Sequence, residues 1–544
     1  MNKKLIKIIL AGGLIICLLA LMVLTACTSQ PATTGPAPTT TAPTKAGPKY
    51  GGTLHLSLNR DATQIGLPPR MLGYQDYCTS RQCIETLVRY DKTGKEIPWL
   101  AESWKIDPGS KTIVLNLKKG VKFHDGSDFN ATAVKWNLER YMNFSVRPEV
   151  NKGTIFDVVD DYTVKITMPA WDNTQFGFMV SMASAGNMVS PTAWQKAPGA
   201  TDKERDDWAA NNPVGTGPFK FVSWAKTAKQ VYTKFDGYWQ KGKPYLDGIQ
   251  WDIIADQLVA SAAMQAKEID AIFYILPETA KQLEAKGFQL LPIIDGWILA
   301  KALIPDSANP KSPFANVKVR QAMSYAIDNK AIADSLYMGK YASPVQQIAS
   351  PNSDLKAPDF KGYPFDPAKA KQLVTEAGFP NGFKTTLYVQ PDQSDIAVVT
   401  ACQAMLAKAG INVEIAVTEV PKVMQIQSNT VGWEGLVYSY PRIDPDPVLT
   451  FSRTFGPTAQ SYQKSMLQPE DVVKAIAQAK VAPDREAAKK IAWDLQKLCM
   501  EKYCLITPVV GTYNMAIKQP YLKDDRLFEV LTHQWYPEDA WLDK

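Results

Sequence analysis

Aromatic and charged side chains gather between residues 433 and 444, in a pattern suited to binding a small solute. Trp433, Tyr438 and Tyr440 supply flat apolar surfaces, and Arg442 and Asp444 supply one charge of each sign. A guanidinium is a planar fork that fits a carboxylate, and aromatic rings suit an apolar or planar body. Alternatively, Arg442 and Asp444 pair with each other to hold a turn while the rings lie in the core. Both interpretations stay open at this point.

The sequence lacks the residue combinations that catalysis or a cofactor would need. Residues 461–464 and 92–94 match two elements of serine acylases, but in the wrong order and without a Ser-Asp-Asn element between them. No Gly-Lys pair precedes Ser or Thr, as a phosphate-binding loop requires, and residues 215–218 are better explained as a tight turn than as a dinucleotide site. The three histidines have no ligand-like neighbours. We therefore predict a protein that is not an enzyme and has no catalytic residue, cofactor or metal site.

The candidate binding residues are positioned by the strand that carries them. Residues 435–440 form a short apolar run that predicts a buried strand. Three prolines within residues 441–447 make the exit from this strand stiff, because each proline fixes its own backbone angle. The aromatic and charged side chains would therefore be held at the carboxyl end of a strand.

Upstream of this strand, helical and strand patterns alternate. Asp366 and Pro367 predict the start of a helix, and a strand at 386–389, a helix at 396–409 and a strand at 411–417 follow. This order predicts a βαβ unit with parallel strands. Lobes of this type bind ligands where loops leave the carboxyl ends of their strands.

The first part of the chain has a different, mixed pattern. Apolar residues alternate over 112–117 and return at 121–123, which predicts a hairpin, and they alternate again over 164–168. Between these segments, Asn130 predicts the cap of a helix with one apolar stripe. We therefore expect an α+β region before the βαβ unit.

Length and charge limit the organisation and the partners of the protein. The chain has 544 residues, too many for one hydrophobic core, so we expect two to four domains. Its formal net charge is +6, and loss of the lysines at 3, 4 and 7 with an export signal would lower it to +3. So small a charge on so long a chain argues against a nucleic-acid partner.

The N-terminal segment has the pattern of an export signal. Residues 1–26 begin with lysines and continue as an apolar run that ends at Cys27. The Leu-Thr-Ala-Cys that closes the run resembles the lipobox of bacterial lipoproteins, in which the cysteine is lipidated and becomes the first residue. An uncleaved transmembrane helix is the alternative. Residues 27–49 are rich in Pro and Thr and predict an extended tether rather than a folded part.

Five further cysteines follow Cys27 in the chain. The spacings of Cys78 with Cys83 and of Cys499 with Cys504 allow local disulfides outside the cytoplasm, provided that a loop or turn lies between them. The simpler expectation is that most of these cysteines are small buried apolar residues.

Several short segments match one protein family in the same order along the chain. They are Leu-Ala-Glu-Ser-Trp at 100–104, Leu-Lys-Lys-Gly-Val-Lys-Phe-His-Asp-Gly at 117–126, Asn-Leu-Glu-Arg at 137–140, Asn-Pro-Val-Gly-Thr-Gly-Pro-Phe at 212–219, Tyr-Leu-Asp-Gly-Ile at 245–249, Glu-Ile-Asp-Ala at 268–271, Phe314 with 317–322, and Ala-Ile-Asp at 326–328. On these segments the chain closely resembles the family 5 extracellular solute-binding proteins, the peptide and nickel branch of ABC importers. The resemblance extends from Tyr50 to the C-terminal region.

The resemblance implies an α/β protein with the two-lobed periplasmic-binding-protein-like fold of type II, in which lobe one carries an extra subdomain. The implied parts are a lipoprotein signal peptide (1–26), a tether (27–49), lobe one (50–80, 206–295 and 506–544), an inserted subdomain (81–205) and lobe two (296–505). It also implies a monomer that is anchored by lipid outside the cytoplasmic membrane. Such a protein closes on a solute and docks on an ABC permease whose ATPase subunits are separate chains.

The ligand is where the resemblance is weakest. Peptide binders of the family commonly carry an aspartate three residues before an Asp-Pro, but here Pro441 and Ile443 stand at those positions. With Arg442 in the turn instead, we expect an organic anion or a peptide held differently. Arg70 and Gln75, in the loop after the first strand, are the opposing candidates from lobe one. The alternative ligands are an opine-like or aromatic carboxylate and a metal chelate. The alternative functions are those of a sensor or an enzyme on the same scaffold.

Overall fold

The computed structural model describes residues 47–544, with gaps at 72, 92–94, 146–148, 181–184, 293–297, 350–355, 442, 444–445, 447, 458, 460, 514 and 524–534. The predicted signal peptide, Cys27 and most of the predicted tether therefore lie outside the described residues. Pro48–Lys544 form one compact unit. Within the described residues, no helix is both long and apolar enough to span a membrane.

The strands of the described residues are numbered here in chain order. They are β1 Thr53–Leu58, β2 Glu85–Thr86, β3 Val88–Tyr90, β4 Glu96–Pro98, β5 Ala101–Asp107, β6 Thr112–Leu117, β7 Ile155–Asp160, β8 Thr163–Thr167, β9 Asn187–Met188, β10 Phe219–Ala225, β11 Lys229–Lys234, β12 Gly248–Ile253, β13 Ala271–Phe273, β14 Gln289–Pro292, β15 Ile298–Pro305, β16 Ala342–Pro344, β17 Phe383–Val389, β18 Ile411–Val417, β19 Leu436–Ser439, β20 Thr507–Tyr513, β21 Met515–Lys518, β22 Leu522–Lys523 and β23 Trp541–Leu542.

The α-helices of the described residues are numbered in the same way. They are α1 Tyr74–Ser80, α2 Ala131–Phe144, α3 Thr174–Val180, α4 Pro191–Gln195, α5 Asp202–Ala209, α6 Gln257–Gln265, α7 Pro277–Glu284, α8 Val317–Ala326, α9 Asn329–Tyr337, α10 Pro367–Glu376, α11 Gln393–Lys408, α12 Val420–Gln427, α13 Leu449–Phe455, α14 Glu470–Lys480 and α15 Arg485–Lys497. Short 3-10 turns lie at Pro68–Arg70, Pro313–Ala315 and Pro537–Asp539, and a π-helical turn lies at Leu498–Lys502.

The first lobe is built on a sheet in which seven described strands pair in the order β10-β11-β12-β1-β13-β21-β14. Its centre is β1, which runs parallel to both β12 and β13. The strand forms because Leu54, Leu56 and Leu58 alternate with other residues, so all three fall on one face and are fully buried in the lobe's core. The carboxyl end of β1 leads into Asn59 and Arg60.

The second lobe is built on a sheet of six described strands in the order β16-β20-β15-β19-β17-β18. The predicted βαβ unit is confirmed, because β17 and β18 are parallel and α11 connects them. The predicted helix start is also confirmed, since Asp366 accepts a hydrogen bond from the backbone N–H of Lys369 at 2.8 Å. The predicted strand at 435–440 is β19, which pairs with β15 and β17.

Between the segments of the first lobe lies a region with its own antiparallel sheet, in the order β5-β6-β8-β7 within the described residues. Asn130 caps α2 as predicted, accepting from the backbone N–H of Ala133 at 3.0 Å. The predicted hairpin is wrong. The strand at 112–117 pairs with β5 and β8, whereas Lys122 forms only an isolated bridge with Asp128, because a tight turn at 123–127 folds that segment onto itself.

The chain crosses between the two large sheets twice. It leaves the first sheet after β14 and enters the second at β15, and it leaves the second after β20 and returns to the first at β21. Such paired crossings are the usual place for a hinge between lobes. The predicted domain boundaries stay a prediction, and the pairing places Thr507–Tyr513 in the second sheet rather than at the start of the return to lobe one.

The five cysteines of the described residues are all free and buried: Cys78, Cys83, Cys402, Cys499 and Cys504. Burial raises the pKa of the Cys78 and Cys402 thiols to about 12. The two local disulfides that the spacing allowed are not formed, and the cysteines pack as small apolar residues, as the simpler expectation held.

Candidate functional site

Tyr440 lies just beyond the carboxyl end of β19, and among the described aromatic candidates it is the exposed one. Its side chain is 42% exposed, whereas Tyr438, two residues earlier, is 3% exposed. The register of β15 and β19 pairs Ala302 with Ser439, so the preceding residue of β15, Lys301, lies beside Tyr440. The loop after β19 thus presents one aromatic ring next to one cation.

Lys301 is a buried cation held by a carboxylate. It forms an ion pair with Asp395 in the first turn of α11, and both side chains are almost completely buried. Burial alone would lower the pKa of Lys301, but the Asp395 carboxylate outweighs it and raises the pKa. Burial also raises the pKa of Asp395, while Lys301 opposes that rise. The pair joins the middle of β15 to the start of α11.

Asp392 provides a second carboxylate at the same edge of the second lobe. Its Oδ1 accepts from the backbone N–H groups of Ser394 and Asp395 at 2.9 and 3.1 Å, which caps α11. Although burial acts to raise the pKa of Asp392, the hydrogen bonds from Ser394 and the backbone outweigh it and lower the pKa. Asp392 is therefore a carboxylate whose position is set by a helix start.

The first lobe contributes a guanidinium at the carboxyl end of β1. Arg60 is exposed, and its Nε and Nη2 donate to the amide oxygen of Gln75 at 2.9 and 3.0 Å, with that oxygen assigned toward the guanidinium. Gln75 itself is 3% exposed and lies on α1. Beside it, the Tyr74 hydroxyl donates to Asn59 Oδ1 at 2.8 Å, and the Tyr74 ring packs on Tyr274 with centroids 3.7 Å apart.

The charges of the two lobes meet at Tyr440. Desolvation raises the pKa of its phenol, and the Asp395 and Asp392 carboxylates raise it further, while Lys301 and Arg60 act in the opposite direction. Arg60 belongs to the first lobe and the others to the second, so the carboxyl ends of β1 and β19 lie close enough to interact electrostatically. We name the residues around this point the cleft site: Arg60, Gln75, Lys301, Asp392, Asp395 and Tyr440.

The other aromatic candidates of the second lobe are core residues. Tyr438 packs in the apolar cluster that also holds Leu303 and Val398. Trp433 is 6% exposed and meets the ring of Tyr462 edge-on, with centroids 6.2 Å apart. Arg442 and Asp444 lie outside the described residues. The ligand roles predicted for these four residues stay predictions.

The two first-lobe candidates occupy different surroundings. Arg70 is engaged by α5, with Asp207 Oδ1 3.0 Å from Nη1 and Asp206 Oδ2 3.3 Å from Nη2. Gln75 belongs to the cleft site, but as the partner of Arg60 rather than as an exposed group. The structure therefore brings Gln75 to the candidate site and ties Arg70 to α5, and a ligand role for either stays a prediction.

Sequence reasoning missed Arg60, Lys301, Asp392 and Asp395. The sequence carries a signal for two of them. Arg60 follows the alternating strand β1 directly, at the carboxyl end where ligands bind in such lobes. Lys301 is a cation inside the apolar run of β15, which indicates that a buried partner exists. Asp392 looks like an ordinary helix cap and Asp395 like an ordinary first-turn residue, and only the tertiary structure brings them to the cleft site.

The cleft site presents polar and aromatic groups of the kind that recognise a small solute. It offers two cations, Arg60 from the first lobe and Lys301 from the second, together with two carboxylates and one aromatic ring, all three from the second lobe. Among the described residues, no group of three or more His, Cys, Asp or Glu side chains could hold a metal ion. The arrangement suits recognition of a small polar solute between two lobes.

Comparison with known sequences identifies the family. Residues 95–462, more than half of the chain, match the family described as bacterial extracellular solute-binding proteins, family 5 Middle. The chain is also similar to the glutathione-binding protein GsiB of Pectobacterium atrosepticum, with 37% identity over 336 residues. That match covers 60% of this chain and 62% of GsiB, so this chain spans about three fifths of the length of the curated relatives it matches.

Two solved structures share the fold over nearly the whole chain. The periplasmic binding protein DppA of Helicobacter pylori, in complex with the peptide STSA, gives a TM-score of 0.74 at 24% identity and covers 91% of this chain and 99% of DppA. NikA of Brucella suis, in complex with Fe(III)-EDTA, gives 0.76 at 22% identity and covers 89% and 99%. The predicted two-lobed α/β fold is confirmed. GsiB and DppA are named as binding proteins, and the matched family is one of solute-binding proteins rather than enzymes. The chain belongs to the family 5 bacterial extracellular solute-binding proteins.

Proposed function

We propose that this protein is the extracytoplasmic binding component of an ABC importer. It captures a peptide or a related small organic solute between its two lobes and delivers it to a permease that is driven by separate ATPase chains. The observation that carries the proposal is the cleft site, which combines Arg60, just after the carboxyl end of β1 in the first lobe, with Tyr440 and its neighbour Lys301 at the end of β19 in the second. A solute bound there would contact both lobes and so favour their closure.

The proposal places the protein on the outer side of the cytoplasmic membrane, held by a lipid on Cys27. The Lys-rich start, the apolar run and the Leu-Thr-Ala-Cys sequence support it. The Pro- and Thr-rich segment that follows would act as a spacer between lipid and lobes, because such a composition stays extended. The protein would work as a monomer and leave its solute chemically unchanged.

The relatives support a range of solutes rather than one. GsiB is named as a glutathione-binding protein, DppA is seen with a peptide, and NikA is seen with an iron chelate. A peptide or peptide-like compound is the leading class for this chain, since its sequence matches GsiB more closely than it matches the two solved structures. An opine-like or aromatic carboxylate or a metal chelate would be a different outcome of the same experiment.

One purification tests both parts of the proposal. The full chain is expressed in a bacterium with lipoprotein processing, purified from the membrane fraction with mild detergent, and analysed by native and denaturing mass spectrometry. We expect small solutes that leave on denaturation unchanged in mass, and a chain that begins at Cys27 and carries a diacylglyceryl group. Cys27→Ala is the control, and it should carry the same solutes without the lipid.

Three results would contradict the proposal. Wild-type protein that carries no solute, and binds none from a bacterial extract, would remove the binding function. Chemical conversion of the solute during incubation would point to an enzyme on this scaffold. A chain that keeps residues 1–26 would favour the transmembrane alternative over the lipid anchor.

A further inference from the structure

Arg60 carries a charge that the protein does not neutralise. Among the described residues, no Asp or Glu lies within ion-pair distance of its guanidinium, and Gln75, its hydrogen-bond partner, is neutral. The two second-lobe carboxylates of the cleft site are engaged by other groups, because Asp395 pairs with Lys301 and Asp392 caps α11. Arg60 is therefore an exposed cation that has no carboxylate partner among the described residues.

Gln75 orients the guanidinium and leaves one of its edges open. Nε and Nη2 both donate to the Gln75 amide oxygen, which occupies the edge of the guanidinium nearer the main chain. The remaining N–H groups, on Nη1 and Nη2, form the end-on fork that matches the two oxygens of a carboxylate. Because Gln75 is buried on α1, this orientation is held before any ligand arrives.

We propose that Arg60 is the specificity-determining residue of the cleft site, and that it binds a carboxylate of the transported solute through its Nη1–Nη2 edge. Gln75 is its positioning residue, since it touches the guanidinium and not the solute. The inference rests on the proposed function and makes it more definite, because it requires every tightly bound solute to carry a free carboxyl group. It also assigns the anion-binding role to a residue of the first lobe, where the sequence pattern pointed to Arg442 of the second.

The test compares free acids with esters. The probes are the solutes extracted from denatured wild-type protein and the same solutes after methyl esterification, which removes the carboxylate charge. Binding to refolded, solute-free protein is measured by isothermal titration. Wild-type protein should bind the acid at least about 30-fold more tightly than the ester, because loss of a charge-assisted bond in a closed site costs that much or more.

The variants separate the role of Arg60 from a general effect on structure. Arg60→Gln should bring the acid-to-ester ratio close to one, and Arg60→Lys, which keeps the charge but loses the fork, should give an intermediate ratio. Gln75→Glu puts a competing carboxylate against the guanidinium, so it should also lower the ratio. Arg70→Gln is the matched control, since Asp206 and Asp207 already engage Arg70, and it should keep the wild-type ratio.

The outcomes distinguish this inference from the proposed function. A wild-type ratio near one, or an unchanged ratio in Arg60→Gln, would overturn the role of Arg60 while leaving solute binding in place. A ratio that collapses in Arg70→Gln and persists in Arg60→Gln would move the role to Arg70. Wild-type protein that yields and binds no solute contradicts the proposed function, and this inference fails with it.

Discussion

Asp446 is a half-buried carboxyl group at the contact between the inserted region and the second lobe. Its Oδ1 accepts from the backbone N–H groups of Val448 and Leu449 at 2.7 and 3.3 Å, at the start of α13. Its Oδ2 faces Gly177 of α3, where an added Cβ would lie 3.8 Å away. Burial raises the pKa of Asp446 to about 6; the Glu96 carboxylate adds to the rise, and Arg485 opposes it.

The raised pKa of Asp446 predicts how Asp446→Asn changes the pH dependence of stability. The folded pKa of about 6 lies above the ordinary value of 3.8, so the folded state binds more protons between these values. The contribution of Asp446 to stability is therefore highest at low pH and is lost as the pH rises through this window. Asparagine keeps the Oδ1 acceptor and does not titrate, so the variant should gain up to about 3 kcal/mol relative to wild type between pH 4 and pH 7.

The measurement is thermal unfolding of both proteins, without solute, across that pH range. All other titrating groups are shared, so the difference between the two proteins isolates Asp446. We expect the midpoint of Asp446→Asn to rise relative to that of wild type as the pH increases. A difference that stays constant from pH 4 to pH 7 would contradict the assignment.

The residue scale also shows where sequence reasoning reaches its limit. The sequence predicts Tyr440 as a binding residue because an apolar strand pattern and the three prolines after it are local signals. The structure places Tyr440 at the cleft site. Arg60 and Arg70 are only ten positions apart. No local sequence signal shows that Arg70 forms ion pairs with α5 while the Arg60 guanidinium forms none among the described residues. Ion pairing across more than a hundred residues is decided by the tertiary structure, which a single sequence does not reveal.

At the scale of elements, the loop before β10 packs closely against residues 82–83, which follow α1. The backbone N–H groups of Gly217 and Phe219 donate to the carbonyls of Cys83 and Gln82, both at 2.9 Å. An added Cβ on Gly215 would lie 2.1 Å from the carbonyl oxygen of Cys83. Two backbone segments can approach this closely only where one of them has no side chain.

Gly215→Ala should therefore destabilise the protein by about 1–3 kcal/mol or more, since an overpacked backbone contact must shift to make room. The control is Gly47→Ala, where no atom lies within 4 Å of the added Cβ. Chemical denaturation of both variants checks the prediction, and the control should match wild type. If Gly215→Ala were as stable as the control, the close approach of the two segments would be refuted.

The elements that the sequence predicted share a property. The α2 helix and the β17–α11–β18 unit are confirmed because their signals are caps and periodicity within a few residues. The 215–218 turn was predicted as a turn, but its contact with Cys83 joins residues more than a hundred positions apart. The prediction of a hairpin at 112–123 was wrong, because alternating apolar residues indicate that a strand forms but not which strand it pairs with.

At the scale of the whole molecule, the inserted region also contacts the second lobe away from the chain crossings. Asp172 Oδ2 lies 2.8 Å from Lys480 Nζ, and the backbone N–H of Asn173 donates to the carbonyl of Lys480 at 2.8 Å. Glu149 forms an ion pair with Arg453 of α13, with both side chains largely buried. These contacts involve none of the cleft-site residues, and opening the lobes would have to break them.

A double variant, Glu149→Gln with Asp172→Asn, should weaken solute binding without changing which solutes bind. Removing these contacts lowers the population of the closed arrangement, so the apparent dissociation constant should rise about three- to tenfold. Titration with the extracted solutes measures the dissociation constant. Small-angle scattering of the solute-free protein measures the opening of the lobes and should show a larger radius of gyration in the double variant.

The matched control for the double variant is Lys330→Gln. It breaks an exposed ion pair with Asp334 inside α9, so it should change neither measurement. Equal solute affinity in the double variant and the control would show that these contacts do not govern closure.

The two chain crossings fix the order in which the lobes can be completed on a ribosome. All six described strands of the second sheet lie between residues 298 and 513, whereas the first sheet begins with β1 and needs β21, whose Ile517 pairs with Ile272. Among the described strands, β14 pairs with β21 alone. A nascent chain can thus complete its second sheet while β14 is still unpaired. The lobe whose synthesis begins first is therefore the last to be assembled.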